Sequence, residues 1–324
     1  MERKIFEKRI NRFQELLKRE DIDGAVIRTL STFVYFTGTK WLRPALLIED
    51  LMATVTTWVR KNGYSRIGME FSVERDAYIL FYEMFKRLNP GVEVADVRGL
   101  SMELRMIKDD WELENIRKAG KIAVKGMKVA EEEIKPGKTE LEVAAEVVRE
   151  LMLNGSEEPK VYVSATPRAH AEPFRDVEIR EGSVVSVVIG ADWNHYYANM
   201  TRYFPIGQVS ERAKNAMEAM EEAYTISVEK TRPGVRFAQV EREIQKLYSS
   251  RGLEEYYITG YTHGVGLLIE EDPITTIVVP HRAMEAKENM VLAMVHAPLM
   301  IPEGAVKKED TFILGRKLEN VTKY

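Results

Sequence analysis

At 324 residues, with 45% hydrophobic and 30% charged side chains, the chain is long enough for two domains and at least one sizeable apolar core. Its formal net charge of −4 gives no bulk electrostatic reason to bind nucleic acid or an anionic membrane. The lack of cysteine excludes disulfides, thiolate metal ligands and a cysteine nucleophile, leaving carboxylates, five histidines, hydroxyls and amines for any chemistry.

The opening segment, MERKIFEKRINRFQELLKRE, reads as an amphipathic helix without the apolar core of a secretion signal. No later run approaches the roughly 18 apolar residues of a membrane span, so a cytoplasmic location is expected. Residues 24–28 predict a short strand, and residues 33–38 and 45–49 carry further strand signals with a turn between them. Residues 52–59 continue the alternation, 67–70 is another strand, and 73–88 has a helical pattern. The turn at Pro90-Gly91 leads to a last strand at 92–97, giving a small α/β domain over residues 1–108.

From residue 109 long helices take over. Ile116, Ala119, Ile122, Ala123 and Met127 recur at helical spacing after Asp110-Trp111-Glu112-Leu113. A second helix over 139–154 begins with Thr139 and Glu142 placed as a capping box and stops at Gly155. After a strand around Val161, residues 183–203 form a buried hairpin signature. The β-branched run Val184, Val185, Val187, Val188 and Ile189 is interrupted at 190–194 and followed by an aromatic stretch.

A second helical pair is expected over 211–231 and 237–251, and it repeats the first. Pro136-Gly137 matches Pro233-Gly234, and the interval to the next stopping glycine is 18 residues in both, from 137 to 155 and from 234 to 252. Glu181-Gly182 precedes a valine-rich strand as Glu288-Asn289 does, with six residues from 182 to Val188 and six from 289 to Val295. The pattern predicts a duplicated unit with a pseudo-twofold cleft, in which Val188 and Val295 are equivalent. His195 and His281 read as surface or satisfied histidines. Gly264 and Gly266 give backbone permissiveness beside His263, and Trp41, Trp58, Trp111 and Trp193 read as packing or dimer-contact residues.

Five segments then carry a resemblance: Leu104-Arg105-Met106-Ile107-Lys108, Asn194-His195-Tyr196, Met200-Thr201-Arg202, Thr262-His263-Gly264-Val265-Gly266-Leu267 and Glu309-Asp310-Thr311. In order and spacing they resemble the family of Xaa-Pro dipeptidases (prolidases), aminopeptidases P, methionine aminopeptidases and creatinases. The resemblance implies an α+β pita-bread domain over 109–324, with pseudo-twofold halves around a curved antiparallel sheet, behind the smaller α/β domain. It also implies a homodimer.

Peptidases of that family hold two divalent metal ions with two aspartates, a histidine and two glutamates, which polarise the scissile carbonyl and supply hydroxide. The resemblance places these positions at Val188, Asn199, His263, Val295 and Glu309. Valine offers no lone pair and an amide is a weaker ligand than a carboxylate, so only His263 and Glu309 remain as expected. No metal cofactor is therefore expected; a single divalent ion on His263, Glu309 and His296 is the alternative. Asp192 reads as turn chemistry rather than a replacement ligand.

Of the family's further histidines, one falls near His170 and another near Glu270 and Glu271. The acidic run Glu270-Glu271-Asp272 is then either a site for a cationic ligand or a solvated loop. The favoured expectation is a non-catalytic homologue that binds through its cleft or outer surface, with Asn199, Glu270 and His296 as candidate cleft residues. The alternative is a metal-independent, creatinase-like C–N hydrolase, with His170 as general base and Glu309 and Glu270 holding a guanidinium or ammonium group. A residual Xaa-Pro peptidase is the third reading. Partners expected are a second copy of the chain and a small peptide or cationic small molecule, with neither nucleic acid nor membrane.

Overall fold

The computed structural model describes residues 2–27, 29–38, 48–70, 77–168, 173, 176–295 and 298–324. The chain divides into two compact units, Met1–Arg105 and Met106–Tyr324. Among the described residues, no helix is long and apolar enough to cross a membrane.

The first unit runs α1 (Glu2–Arg19), β1 (Gly24–Val26), α2 (Leu30–Thr37), α3 (Ile48–Asn62), β2 (Arg66–Met69), α4 (Ala77–Leu88), β3 (Glu93–Asp96) and α5 (Arg98–Met106). Its three strands pair in parallel in the order β1-β2-β3, with helical segments making the crossovers that parallel neighbours require. Val55, Val59, Ile67, Met69, Phe81 and Phe85 form its core.

Two expected strands are helices here. Residues 33–38 fall in α2, which ends on Gly38 in the left-handed conformation with its N–H bonded to Val34 O at 2.7 Å. Residues 52–59 fall in α3, where Val55 and Val59 meet the core four residues apart. A short apolar run does not separate helix from buried strand by alternation, and the stop signal at Gly38 and the four-residue spacing decide for helix. Trp41 and residues 45–47 lie outside the described residues.

The second unit opens with α6 (Asp110–Glu133), α7 (Glu140–Leu153), β4 (Lys160–Ser164), β5 (Val184–Trp193) and β6 (Tyr196–Pro205). It continues through α8 (Glu211–Lys230), α9 (Phe237–Ser250), β7 (Thr262–Gly264), β8 (Glu271–Ile274) and β9 (Val291–Met294). The last strands are β10 (Leu299–Ile301), β11 (Gly304–Val306), β12 (Glu309–Ile313) and β13 (Glu319–Asn320). They form one sheet in the order β10-β11-β5-β6-β12-β9-β7-β8, with β4 on β5 and β13 on β12. Every pairing is antiparallel except β11 with β5.

Both first-half helices begin with capping boxes. Asp109 and Glu112 exchange bonds of 3.0 Å each, and Thr139 accepts from Glu142 N while Glu142 accepts from Thr139 N. Each cap contributes about 1 kcal/mol by satisfying helix-end amides.

The two halves repeat their hydrogen bonds as well as their lengths. Gly137 N donates to Ile179 O and Gly234 N to Ala286 O; Glu140 N donates to Val177 O and Phe237 N to Met284 O. The return bonds match too, Ile179 N to Lys138 O and Ala286 N to Val235 O. Gly137 and Gly234 supply the same turn at φ 88° and 89°. Each helix pair covers the same side of the sheet. Ile122, Met127, Val147 and Leu151 pack on Val185, Val187 and Ile189, while Ala216, Met220, Ile244 and Tyr248 pack with Leu292, Met294 and Phe312. Alternation leaves Val188 and its neighbours on the other face.

The central hairpin is longer than its sequence suggests. Strand pairing runs unbroken to Trp193 opposite Tyr196, so the turn is only Asn194-His195, both at positive φ, 48° and 68°. That is the backbone a tight hairpin of right-twisted strands demands. Residues 190–193, expected in the turn, are strand.

Candidate functional site

The inner face of the second sheet is defined by register. Val188 lies opposite Thr201, Gly190 opposite Asn199, Thr201 opposite Glu309, and Ala293 opposite both Thr311 and His263. Directly opposed residues project to one side, so Val188, Asn199, His263 and Glu309 share this face. Four of the five positions singled out by the sequence are thereby brought together. Val295, immediately after β9, belongs instead to the apolar cluster under α8 and α9, of which Val188 is not a member.

Glu309 is the hub. Thr201 Oγ1 donates to Glu309 Oε1 at 3.3 Å, Lys307 Nζ lies 3.0 Å from Oε2, and His263 Nε2 lies 3.8 Å from the same oxygen. The Lys307 and Glu309 side chains are 2% and 1% exposed. His263 Nδ1 is 2.9 Å from Gly264 O, a carbonyl that only accepts, so Nδ1 carries a proton and Nε2 faces the carboxylate. Burial alone pushes the imidazole down, but the bond to Glu309 and the charges of Glu309 and Glu270 outweigh it and hold His263 above its ordinary value. For Lys307, burial prevails over the attraction of Glu309 and Glu270, and its ammonium sits below the usual lysine range.

Lys307 is the residue the sequence reading missed. Val306-Lys307-Lys308-Glu309 looks like a solvated charge run, yet a side chain two residues before Glu309 in extended backbone must share its face.

A loop lies over the same face. Tyr197 N donates to Gly266 O at 2.7 Å, and Asn199 Nδ2 donates to Ile269 O at 2.6 Å. A Cβ at Gly190 would stand 2.5 Å from Ile269 Cδ1, so the glycine makes the room that isoleucine occupies. Asn199 thus uses the hydrogen that distinguishes an amide from a carboxylate. Its Oδ1 is buried and accepts no hydrogen bond.

The acidic run is not a solvated loop. Glu271 is 3% exposed and its Oε1 lies 2.9 Å from Lys108 Nζ; Asp272 is 7% exposed and lies 3.7 Å from His281 Nε2. His281 Nδ1 accepts from Ile274 N at 2.8 Å, a satisfied histidine. Asp192 is not turn chemistry either: it is a buried strand residue. Its Oδ1 accepts from Ser156 Oγ at 2.5 Å and from the amides of Glu157 and Glu158 at 3.1 and 2.9 Å. His170 and His296 lie outside the described residues. Among the described residues, no group of three or more His, Asp or Glu is placed to hold a metal ion.

A curved, almost wholly antiparallel sheet covered on its outer side by two matching helix pairs, with a histidine and a glutamate on its inner face, defines the pita-bread class. The chain belongs to metallopeptidase family M24, whose profile matches residues 114–316. It is 32% identical over 261 residues to an Xaa-Pro dipeptidase of Pyrococcus horikoshii, covering 78% of this chain and 71% of that protein. A second Xaa-Pro dipeptidase, from Pyrococcus furiosus, is 32% identical over 240 residues, 72% of this chain and 67% of the relative. The solved prolidase of Pyrococcus furiosus superposes with a TM-score of 0.82 at 27% identity, covering 96% of this chain and 99% of that one.

Proposed function

We propose that this chain is an Xaa-Pro dipeptidase homologue in which a buried lysine–glutamate ion pair stands where the family's peptidases hold their metal ions. In this reading the fold serves binding rather than peptide hydrolysis. The observation that carries it is Lys307 Nζ at 3.0 Å from Glu309 Oε2, with neither side chain more than 2% exposed. An ammonium and a divalent ion would compete for the same oxygen, and two cations a few ångströms apart in a medium of low dielectric repel strongly. The remaining donors do not make up the loss. Val188 and Val295 have no lone pair, and Asn199 offers only a neutral amide oxygen, a weaker ligand than a carboxylate, its NH2 being held by Ile269 O. The residues present do not fit a dinuclear centre.

The creatinase-like alternative needs Glu309 to hold an external cation. Lys307 already occupies that carboxylate, which weighs against it. As a family member of this kind the chain is proposed to work as a homodimer with a small peptide as the cleft's ligand.

The test is metal stoichiometry by mass spectrometry after equilibrium dialysis against manganese, cobalt or zinc, run beside an Xaa-Pro dipeptide assay. The expected result is no stoichiometric ion and no turnover above background. Two ions per chain, or metal-dependent turnover, would refute the proposal.

A further inference from the structure

The strands that carry the candidate site have a second face. The alternation that turns Thr201 and Glu309 inward turns Arg202 and Asp310 outward, and there they build a floor. Arg202 Nη2 donates to Asp310 Oδ1 and Oδ2 at 2.9 and 3.1 Å, the Tyr224 hydroxyl to Oδ2 at 2.5 Å, and the Thr322 hydroxyl to Oδ1 at 2.8 Å. Above this floor lies a cavity of about 810 Å³, bounded by α8, β12 and the segment 316–324.

The charge around it is one-sided. Asp310 is the one acidic side chain among the lining residues, and Arg202 pairs with it; Glu131, outside the lining, accepts from the Tyr324 hydroxyl. Lys308 pairs with Glu221. Arg232, Arg316, Lys317 and Lys323 also line the cavity, and among the described residues none of the four has a carboxylate within ion-pair distance. Glu319, the acid nearest in sequence, is drawn away by Arg117 in a bidentate pair of 2.8 and 2.8 Å. Arg232 is anchored by Nη1 to Val228 O and Thr231 O at 2.6 Å each, and with Arg316, Lys317 and Lys323 it forms, in a chain of net charge −4, a local positive field against the average. Two tyrosines complete the lining: Tyr324 lies 5.7 Å from the Arg202 guanidinium, and Tyr224 is backed by the buried Phe312, ring centroids 6.2 Å apart.

We propose that this cavity binds an organic polyphosphate of nucleotide size. Its phosphates meet Arg232, Arg316, Lys317 and Lys323, and its flat end rests on Tyr224 and Tyr324. Guanidinium and ammonium groups are the natural partners of phosphate oxygens, and aromatic faces those of a planar base. The volume falls within the roughly 300–1,000 Å³ of small-molecule sites. The cations surround one floored cavity rather than tracing a stripe, which favours a single small anion over a nucleic-acid strand. The inference stands apart from whether the inner face hydrolyses anything, because the cavity uses the opposite face of β6 and β12.

Isothermal titration calorimetry on the full chain tests it, with ATP, tripolyphosphate, adenosine and a single-stranded RNA oligonucleotide as probes. ATP is expected to bind one to one and more weakly as salt is raised, with tripolyphosphate weaker than ATP and adenosine silent. The double variant Arg316→Glu/Lys317→Glu should weaken ATP at least tenfold, and Lys323→Glu should weaken it independently. Lys246→Glu, on an exposed part of α9, should leave it unchanged. Circular dichroism melts of each variant separate lost binding from lost folding. No binding of ATP, an unchanged affinity in the correctly folded double variant, tripolyphosphate equal to ATP, or RNA preferred over ATP would each overturn the proposal.

Discussion

Replacing Lys307 with methionine keeps a long aliphatic stem and removes the charge that faces Glu309. The carboxylate would stay 1% exposed, with the Thr201 hydroxyl at 3.3 Å and His263 at 3.8 Å as its remaining partners. Removing one member of a buried ion pair costs about 3–5 kcal/mol, because the other is left charged out of water. His263 can take up part of that burden as an imidazolium, so the lower end, about 3 kcal/mol, is expected. For a unit of this size that corresponds to a fall in Tm of about 6–12 °C. The double variant Lys307→Met/Glu309→Leu removes both charges and should recover most of the loss, since a buried pair exchanged for apolar groups is often neutral. Urea unfolding of the wild type, both single variants and the double variant, followed by tryptophan fluorescence, gives the coupling between the two residues. A Lys307→Met loss below about 1 kcal/mol, the range of exposed pairs, would refute the buried pair.

Two further outcomes follow from neighbouring residues. Asn199→Asp, which restores the family's carboxylate, removes the hydrogen given to Ile269 O at 2.6 Å and sets two oxygens against each other. It should destabilise by about 2–3 kcal/mol in thermal or urea unfolding, and a neutral or stabilising result would show that the loop is not seated through that amide. His263 is held above its ordinary value of 6.5, so its pairing with Glu309 contributes stability that is fully present below that pH and is lost as pH rises through the folded value. Unfolding free energy measured across this window should fall with rising pH in the wild type and lose that component in His263→Gln; identical profiles would remove His263 from the pair.

The helical frame of the second unit is legible because its signals are local. Thr139 with Glu142, and the glycines at 137 and 234, set helix starts and turns within a few residues, and their repetition exposes the two halves. In the first unit the same kind of reading fails at 33–38 and 52–59, where β-branched runs of a few residues look like strands. The Gly38 stop ends the first as a helix, and the seating of Val55 and Val59 on the core four residues apart makes the second one. On the inner face, the family resemblance correctly groups Val188, Asn199 and Glu309, whereas the reading of residues 190–194 as a turn misassigns Asp192, whose partners Ser156, Glu157 and Glu158 come from a distant loop.

By itself, then, the sequence determined which positions of this face carry a lone pair and which do not, because that is a property of the side chain alone: Val188 has none, Asn199 has an amide, His263 and Glu309 keep theirs. What sits against those groups was decided largely by tertiary structure. Alternation puts Lys307 beside Glu309, but the burial of that pair, Lys108 on Glu271 and Ile269 over Gly190 depend on the strand order β5-β6-β12-β9-β7 and on the loop that crosses it. A charge in a sequence has no partner until burial removes the water that would otherwise serve as one.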